Sequence, residues 1–137
     1  MEVRTNSATA YTGAQNFITK VTSRNHSIVA DEPADHGGSD LGMTPHDLLI
    51  AALASCTSIT LKMYADRKGW KLDKINVQAT IERKIESGVQ TTKAIQILEL
   101  TGDLDDTMKQ RLLDVGSRCP VHKTLAPAMK IEIHLKP

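Results

Sequence analysis

The sequence predicts an α+β fold in which antiparallel sheets pack on one long central helix. Three observations carry that prediction: strand-like alternation over residues 1–30, a capped apolar segment from Thr44 to about Lys68, and two alternating segments on either side of Ser87-Gly88. The chain has 137 residues, 40% hydrophobic and 24% charged, which suits a single domain over residues 1–137 with a sizeable core.

Val3 to Tyr11, Asn16 to Val21 and His26 to Ala30 read as three short strands. Thr12-Gly13-Ala14-Gln15 and Ser23-Arg24-Asn25 separate them, so they form an antiparallel meander. Asp31 to Met43 is dense in Asp, Gly and Pro and reads as a loop. A long helix follows. Thr44 is a good N-cap, Pro45 suits the first helical position, and Asp47 at the third sets a carboxylate before the free amides. Arg67 and Lys68 suit the last turn and Gly69 the stop. Between Leu48 and Tyr64 the helix is apolar on more than one face and rich in small residues (Ala51, Ala52, Ala54, Ser55), the pattern of burial on several sides.

After Trp70, one face carries Ile75, Val77, Ala79, Ile81 and Ile85, while Gln78, Thr80, Glu82 and Lys84 point the other way. The turn at Ser87-Gly88 returns the chain through Lys93 to Leu100 as a hairpin. Asp105 caps a second helix with Met108, Leu112 and Val115 at helical spacing. Gly116-Ser117 breaks it, and Cys119-Pro120 reads as the cap and first residue of a short helix. A last strand places Met129, Ile131, Ile133 and Leu135 inward and Lys130, Glu132 and His134 outward.

Several function classes lose support at this level. The net charge is +1, from 17 basic and 16 acidic residues spread along the chain, so nucleic acid and membrane surfaces lack their electrostatic footprint. Trp70, Tyr11, Tyr64 and Phe17 are too few to stack on a single strand. The polar start Met1-Glu2-Val3-Arg4 does not read as a signal peptide, and the apolar run Leu48 to Ala54 is short of a membrane span. The expectation is a cytoplasmic protein whose thiols stay reduced. Gly37-Gly38 lacks the context of a nucleotide loop. There are five histidines, and Cys119 and His122 have ligand-like spacing, but no second Cys/His pair completes a site, so no metal is expected.

The chemistry therefore rests on Cys56 and Cys119. Pro120 fixes a helix start behind Cys119, where free amides favour a thiolate, and Arg118 and Lys123 stand near it in sequence. The alternative is a small hydrophobe closing a turn. Cys56 lies mid-helix among apolar neighbours, where burial raises a thiol's pKa and core filling is the plainer role. A peroxide-reducing pair needs one thiolate to form a sulfenic acid and a second thiol close enough to condense with it.

Thr44-Pro45-His46-Asp47-Leu48-Leu49, running into Ala51-Ala52-Leu53-Ala54-Ser55-Cys56, resembles the central helix of the OsmC/Ohr family. Arg118-Cys119-Pro120-Val121-His122-Lys123-Thr124-Leu125 resembles that family's second cysteine motif, and the order of elements agrees over essentially the whole chain. The resemblance implies an intertwined homodimer with two sites at the subunit interface, reducing organic hydroperoxides by a thiol mechanism. Cys56 is then the peroxidatic cysteine and Cys119 the resolving one. No cofactor is bound; an external lipoyl-type dithiol, or a lipoylated partner carrying it, resets the pair.

In the family's peroxidases an arginine and a glutamate join the first cysteine. The glutamate's position falls here at His46, with Asp47 beside it as the shorter acid or as a helix cap. The arginine belongs in the first turn, which reads Gly13-Ala14-Gln15-Asn16; Arg24 and Arg83 are the candidates to replace it, and neither matches the motif. Without such a cation Cys56 is mostly thiol at neutral pH. A non-enzymatic protein that holds an apolar ligand, or a passive redox sensor, is the competing expectation, and a structural metal at Cys119 and His122 a third.

Overall fold

The computed structural model describes residues 1–127, so the expected strand Met129–Leu135 lies outside the described residues. Two compact units divide the chain, Met1–Leu49 and Ile50–Pro137.

In the first unit β1 (Thr9–Thr12), β2 (Thr19–Ser23) and β3 (His26–Ala30) form an antiparallel sheet in that order. The meander is as expected, but β1 starts well after Val3 and β2 after Asn16. Asn16 takes a left-handed φ of 48°, and the Ile18 amide donates to the Gln15 carbonyl at 3.1 Å, so this stretch is spent on the turn. With β2 beginning at Thr19 and ending at Ser23, pairing runs only from Thr12↔Thr19 to Thr9↔Thr22. Among the described residues none before Thr9 joins the ladder, although the Ser23 hydroxyl donates to the Ser7 carbonyl at 2.8 Å.

The loop from Asp31 is tethered rather than free. The Asp31 amide donates to the Met43 carbonyl at 3.1 Å, and the Asp31 carboxylate accepts from the amides of Glu32 (2.8 Å) and Leu41 (3.1 Å). Gly38 is required here, because any Cβ would collide with the backbone of Glu32.

Helix α1 (Pro45–Lys68) has the bounds its caps predict. Its residues 53, 57, 61 and 65 are buried, a strict four-residue spacing along one face. By length and composition α1 is also apolar enough to cross a membrane, although interspersed Ser and Thr break its apolar run. Leu61 and Ala65 instead enter a protein core.

In the second unit β4 (Lys71–Glu86) and β5 (Val89–Asp103) form a long antiparallel hairpin. Ser87 (φ 50°) and Gly88 (φ 79°) make its two-residue turn, both left-handed as such a turn demands. The strands outrun the expected Ile75–Ile85 and Lys93–Leu100 because pairing continues through a register shift between Leu72 and Lys74 to Lys71↔Asp103. Ile75 faces Leu100 and Val77 faces Leu98 on the half-buried face. Asp105 caps α2 (Asp106–Gly116), its carboxylate accepting from the Met108 amide at 2.8 Å. Leu61, Ala65, Leu72, Leu112 and Val115 form the core, with Trp70, Ile75, Leu98 and Leu100 packed on it. Last comes α3 (Pro120–Leu125).

Candidate functional site

Cys119 is the N-cap of α3. Its backbone is extended (φ −64°, ψ 150°), Pro120 supplies the first helical position, and the sulfur accepts from the His122 amide at 3.3 Å. A sulfur here does the work usually given to a serine or aspartate oxygen. Across the fold, 62 residues away in sequence, the Thr57 hydroxyl donates to the same sulfur at 3.7 Å. Cys119 is fully buried and Thr57 is 1% exposed.

Cys56 precedes Thr57 on α1, is half-buried, and carries a free thiol, as does Cys119. Its surroundings push in two directions. Burial raises its pKa most; the Val121 amide, hydrogen-bonded to the sulfur, lowers it; hydrogen bonding and charge at Cys119 raise it; the Thr60 hydroxyl lowers it. The net shift is upward. Cys119 and Val121, from the start of α3, both act on the Cys56 thiol, so the two cysteines are neighbours, and the His122 amide of the same helix serves Cys119. Among the described residues, none of the groups acting on Cys56 is a cation.

Two neighbouring reduced sulfurs, one half-buried and the other enclosed by donors, have the chemistry of a dithiol–disulfide pair. The family model described as OsmC-like protein matches residues 37–134, more than half of the chain. The chain belongs to the OsmC family.

Solved structures share this OsmC fold. An OsmC-like protein from Mycoplasma pneumoniae superposes with a TM-score of 0.74 at 23% identity, over 90% of this chain and 88% of that one. An organic hydroperoxide resistance protein OsmC from Legionella pneumophila gives 0.69 at 17% identity, over 91% of each chain. The organic hydroperoxide resistance protein OhrB of Bacillus subtilis gives 0.64 at 21% identity, over 88% and 90%. No curated protein matches the chain.

The supporting residues expected for an OsmC protein are placed differently from the cysteines. Asp47 is engaged at the start of α1, where its carboxylate accepts from the Thr44 amide. It lies nine residues before Cys56, which on a helix is about half a turn round from it. His46 is exposed in the first turn. Arg24 occupies the β2–β3 turn with φ 55°. Arg118 is held by Asp114 through Nη2 at 2.6 Å, and Lys123 is exposed on α3. Among the described residues no three His, Cys, Asp or Glu side chains gather as a metal cluster.

Sequence reasoning missed Thr57 and Thr60. Both were open to it: a residue one turn beyond Cys56 shares its face, and a hydroxyl beside a buried thiol is a donor in waiting. The contact of Thr57 with Cys119 needed the tertiary packing.

Proposed function

We propose that this OsmC-family protein is a thiol-dependent reductant of organic hydroperoxides. The observation that carries the reading is the pairing of two neighbouring reduced cysteines, Cys56 half-buried and Cys119 enclosed. Family membership and the names of the Legionella and Bacillus structures favour a peroxide over other oxidants.

Cys56, as the thiolate, attacks the distal peroxide oxygen; the O–O bond breaks, the alcohol leaves with a proton, and Cys56 becomes a sulfenic acid. Cys119 then attacks the Cys56 sulfur, water leaves, and a Cys56–Cys119 disulfide forms. An external dithiol, of lipoyl type by family resemblance, is oxidised as it reduces that disulfide. No bound cofactor enters the cycle.

The active form in this reading is a homodimer. The hairpin supports it: Ile85 beside the turn is 71%, Val89 64% and Ile97 in mid-strand 63% exposed, on strands 16 and 15 residues long. A bare two-stranded ribbon with this much apolar surface is marginal in water and gains by being covered.

The test is to mix the reduced protein with cumene hydroperoxide and follow both thiols by mass. Fast loss of two thiols to a Cys56–Cys119 disulfide, abolished by Cys56→Ser, is the expected result. Intact thiols after prolonged exposure would overturn the reading. The raised pKa of Cys56 favours one alternative, a non-enzymatic OsmC protein that binds an apolar ligand and holds its thiols as a passive pair; ligand binding that survives loss of both thiols would decide for it.

A further inference from the structure

We propose that Thr57 is a positioning residue for the reductive half of the cycle: its hydroxyl and the His122 amide hold the Cys119 sulfur as the leaving group when an external dithiol attacks Cys56. The inference rests on the dithiol–disulfide reading of the cysteine pair but concerns a residue outside that pair.

Hydroxyls inside helices ordinarily turn back to a carbonyl of the preceding turn, as Ser55 does here, donating to Ala52 at 3.1 Å. Thr57 spends its one proton differently, on Cys119 Sγ at 3.7 Å. Its orientation is constrained. The methyl group lies toward Gly116, where an added Cβ would sit 3.5 Å from Thr57 Cγ2. A β-branched side chain on a helix has little χ1 freedom, so seating the methyl aims the hydroxyl. With the His122 amide at 3.3 Å, the fully buried sulfur has two donors directed at it.

Two donors on one sulfur stabilise it most when it carries charge. In the reductive step a thiolate of the external dithiol attacks Cys56 Sγ, the half-buried sulfur, in the Cys56–Cys119 disulfide. The S–S bond breaks and its electron pair leaves on Cys119, which takes the hydrogen bonds of Thr57 and His122. The second thiol of the reductant, deprotonated, then attacks the mixed disulfide. It closes its own disulfide and expels Cys56, and the two protons of the dithiol end on the two cysteines. The better stabilised the leaving sulfur, the faster the first displacement.

Two experiments on the full-length protein test this, both starting from protein oxidised with diamide, so that neither depends on peroxide consumption. First, oxidised wild-type protein is challenged with a monothiol, 2-mercaptoethanol, quenched with an alkylating agent and mapped by mass. The adduct is expected on Cys56 with the alkyl group on Cys119; an adduct on Cys119 would overturn the proposal without any variant. Second, reduction by dithiothreitol is timed across pH. Thr57→Val is expected to slow it roughly three- to tenfold, the effect of one ordinary hydrogen bond to a sulfur that is only partly charged in the transition state, and to alter its pH profile, while Thr57→Ser restores both. A valine variant with wild-type rate and profile refutes the role. Failure to consume peroxide with these results intact would sink the peroxidase reading alone.

Discussion

Thr44 and Asp47 bond each other twice. The Thr44 amide donates to Asp47 Oδ2 and the Asp47 amide donates to Thr44 Oγ1, each at 3.1 Å. This reciprocal box closes the start of α1, with Pro45 between its partners, and satisfies amides that a helix otherwise leaves unpaired. Thr44→Ala and Asp47→Ala are each expected to lower stability by about 1 kcal/mol. Because the two bonds share one geometry, the double variant should lose less than the sum. Urea unfolding of the four proteins measures it, and additive losses would mean the two residues act independently.

A second prediction concerns the core. Leu112 is fully buried against Leu61 and Ala65. Leu112→Ala should cost about 2–5 kcal/mol, through lost apolar burial and the cavity left behind. Gln110→Ala, exposed on the same helix, should stay within about 0.5 kcal/mol. Thermal unfolding separates the two, and equal shifts would contradict the packing.

Cys56 should react as a raised thiol. Its alkylation rate is expected to climb only above the ordinary thiol range, because burial first, and Cys119 after it, disfavour the thiolate. Cys119→Ala removes the second cause and leaves the first, so the profile should move part of the way down. The sign for stability follows. A group whose folded pKa is raised contributes stability that is whole below its unfolded pKa and lost as pH rises through the folded value. Mass-resolved alkylation against pH reads the shift directly, and a profile below the usual thiol range would refute it.

Tyr64 should ionise below the usual phenol range. Arg111 Nε donates to its hydroxyl at 3.0 Å, the largest cause; burial opposes it, and the charges of Arg111, Lys68 and Arg67 assist. Arg111 also stands 5.6 Å from the ring centroid. Arg111→Met is therefore expected to raise the Tyr64 pKa. The only other tyrosine is Tyr11, so ultraviolet titration in a Tyr11→Phe background reports Tyr64 alone. An unchanged titration on removing Arg111 would refute the assignment.

Much of this fold was legible because its signals are local. The cap and stop of α1, the Asp105 cap of α2 and the left-handed pair Ser87-Gly88 are each decided within a few residues. The strand ends were not. β1 is short because β2 offers partners only from Thr19 to Ser23, and β4 begins at Lys71 because β5 continues to Asp103. A strand's length belongs to its partner as much as to its own pattern.

The site divides in the same way. Sequence alone determined the types and local settings of its sulfurs: Cys56 inside an apolar helix, and Cys119 before a proline that starts another. The OsmC resemblance could be read from those motifs. Only the tertiary structure decided that the two cysteines are neighbours, that Thr57 turns its hydroxyl to Cys119, and that the His122 amide serves the same sulfur. Capping and periodicity act over a single turn of chain, whereas a hydrogen bond between residues 62 apart exists only once the core has packed one helix against the other.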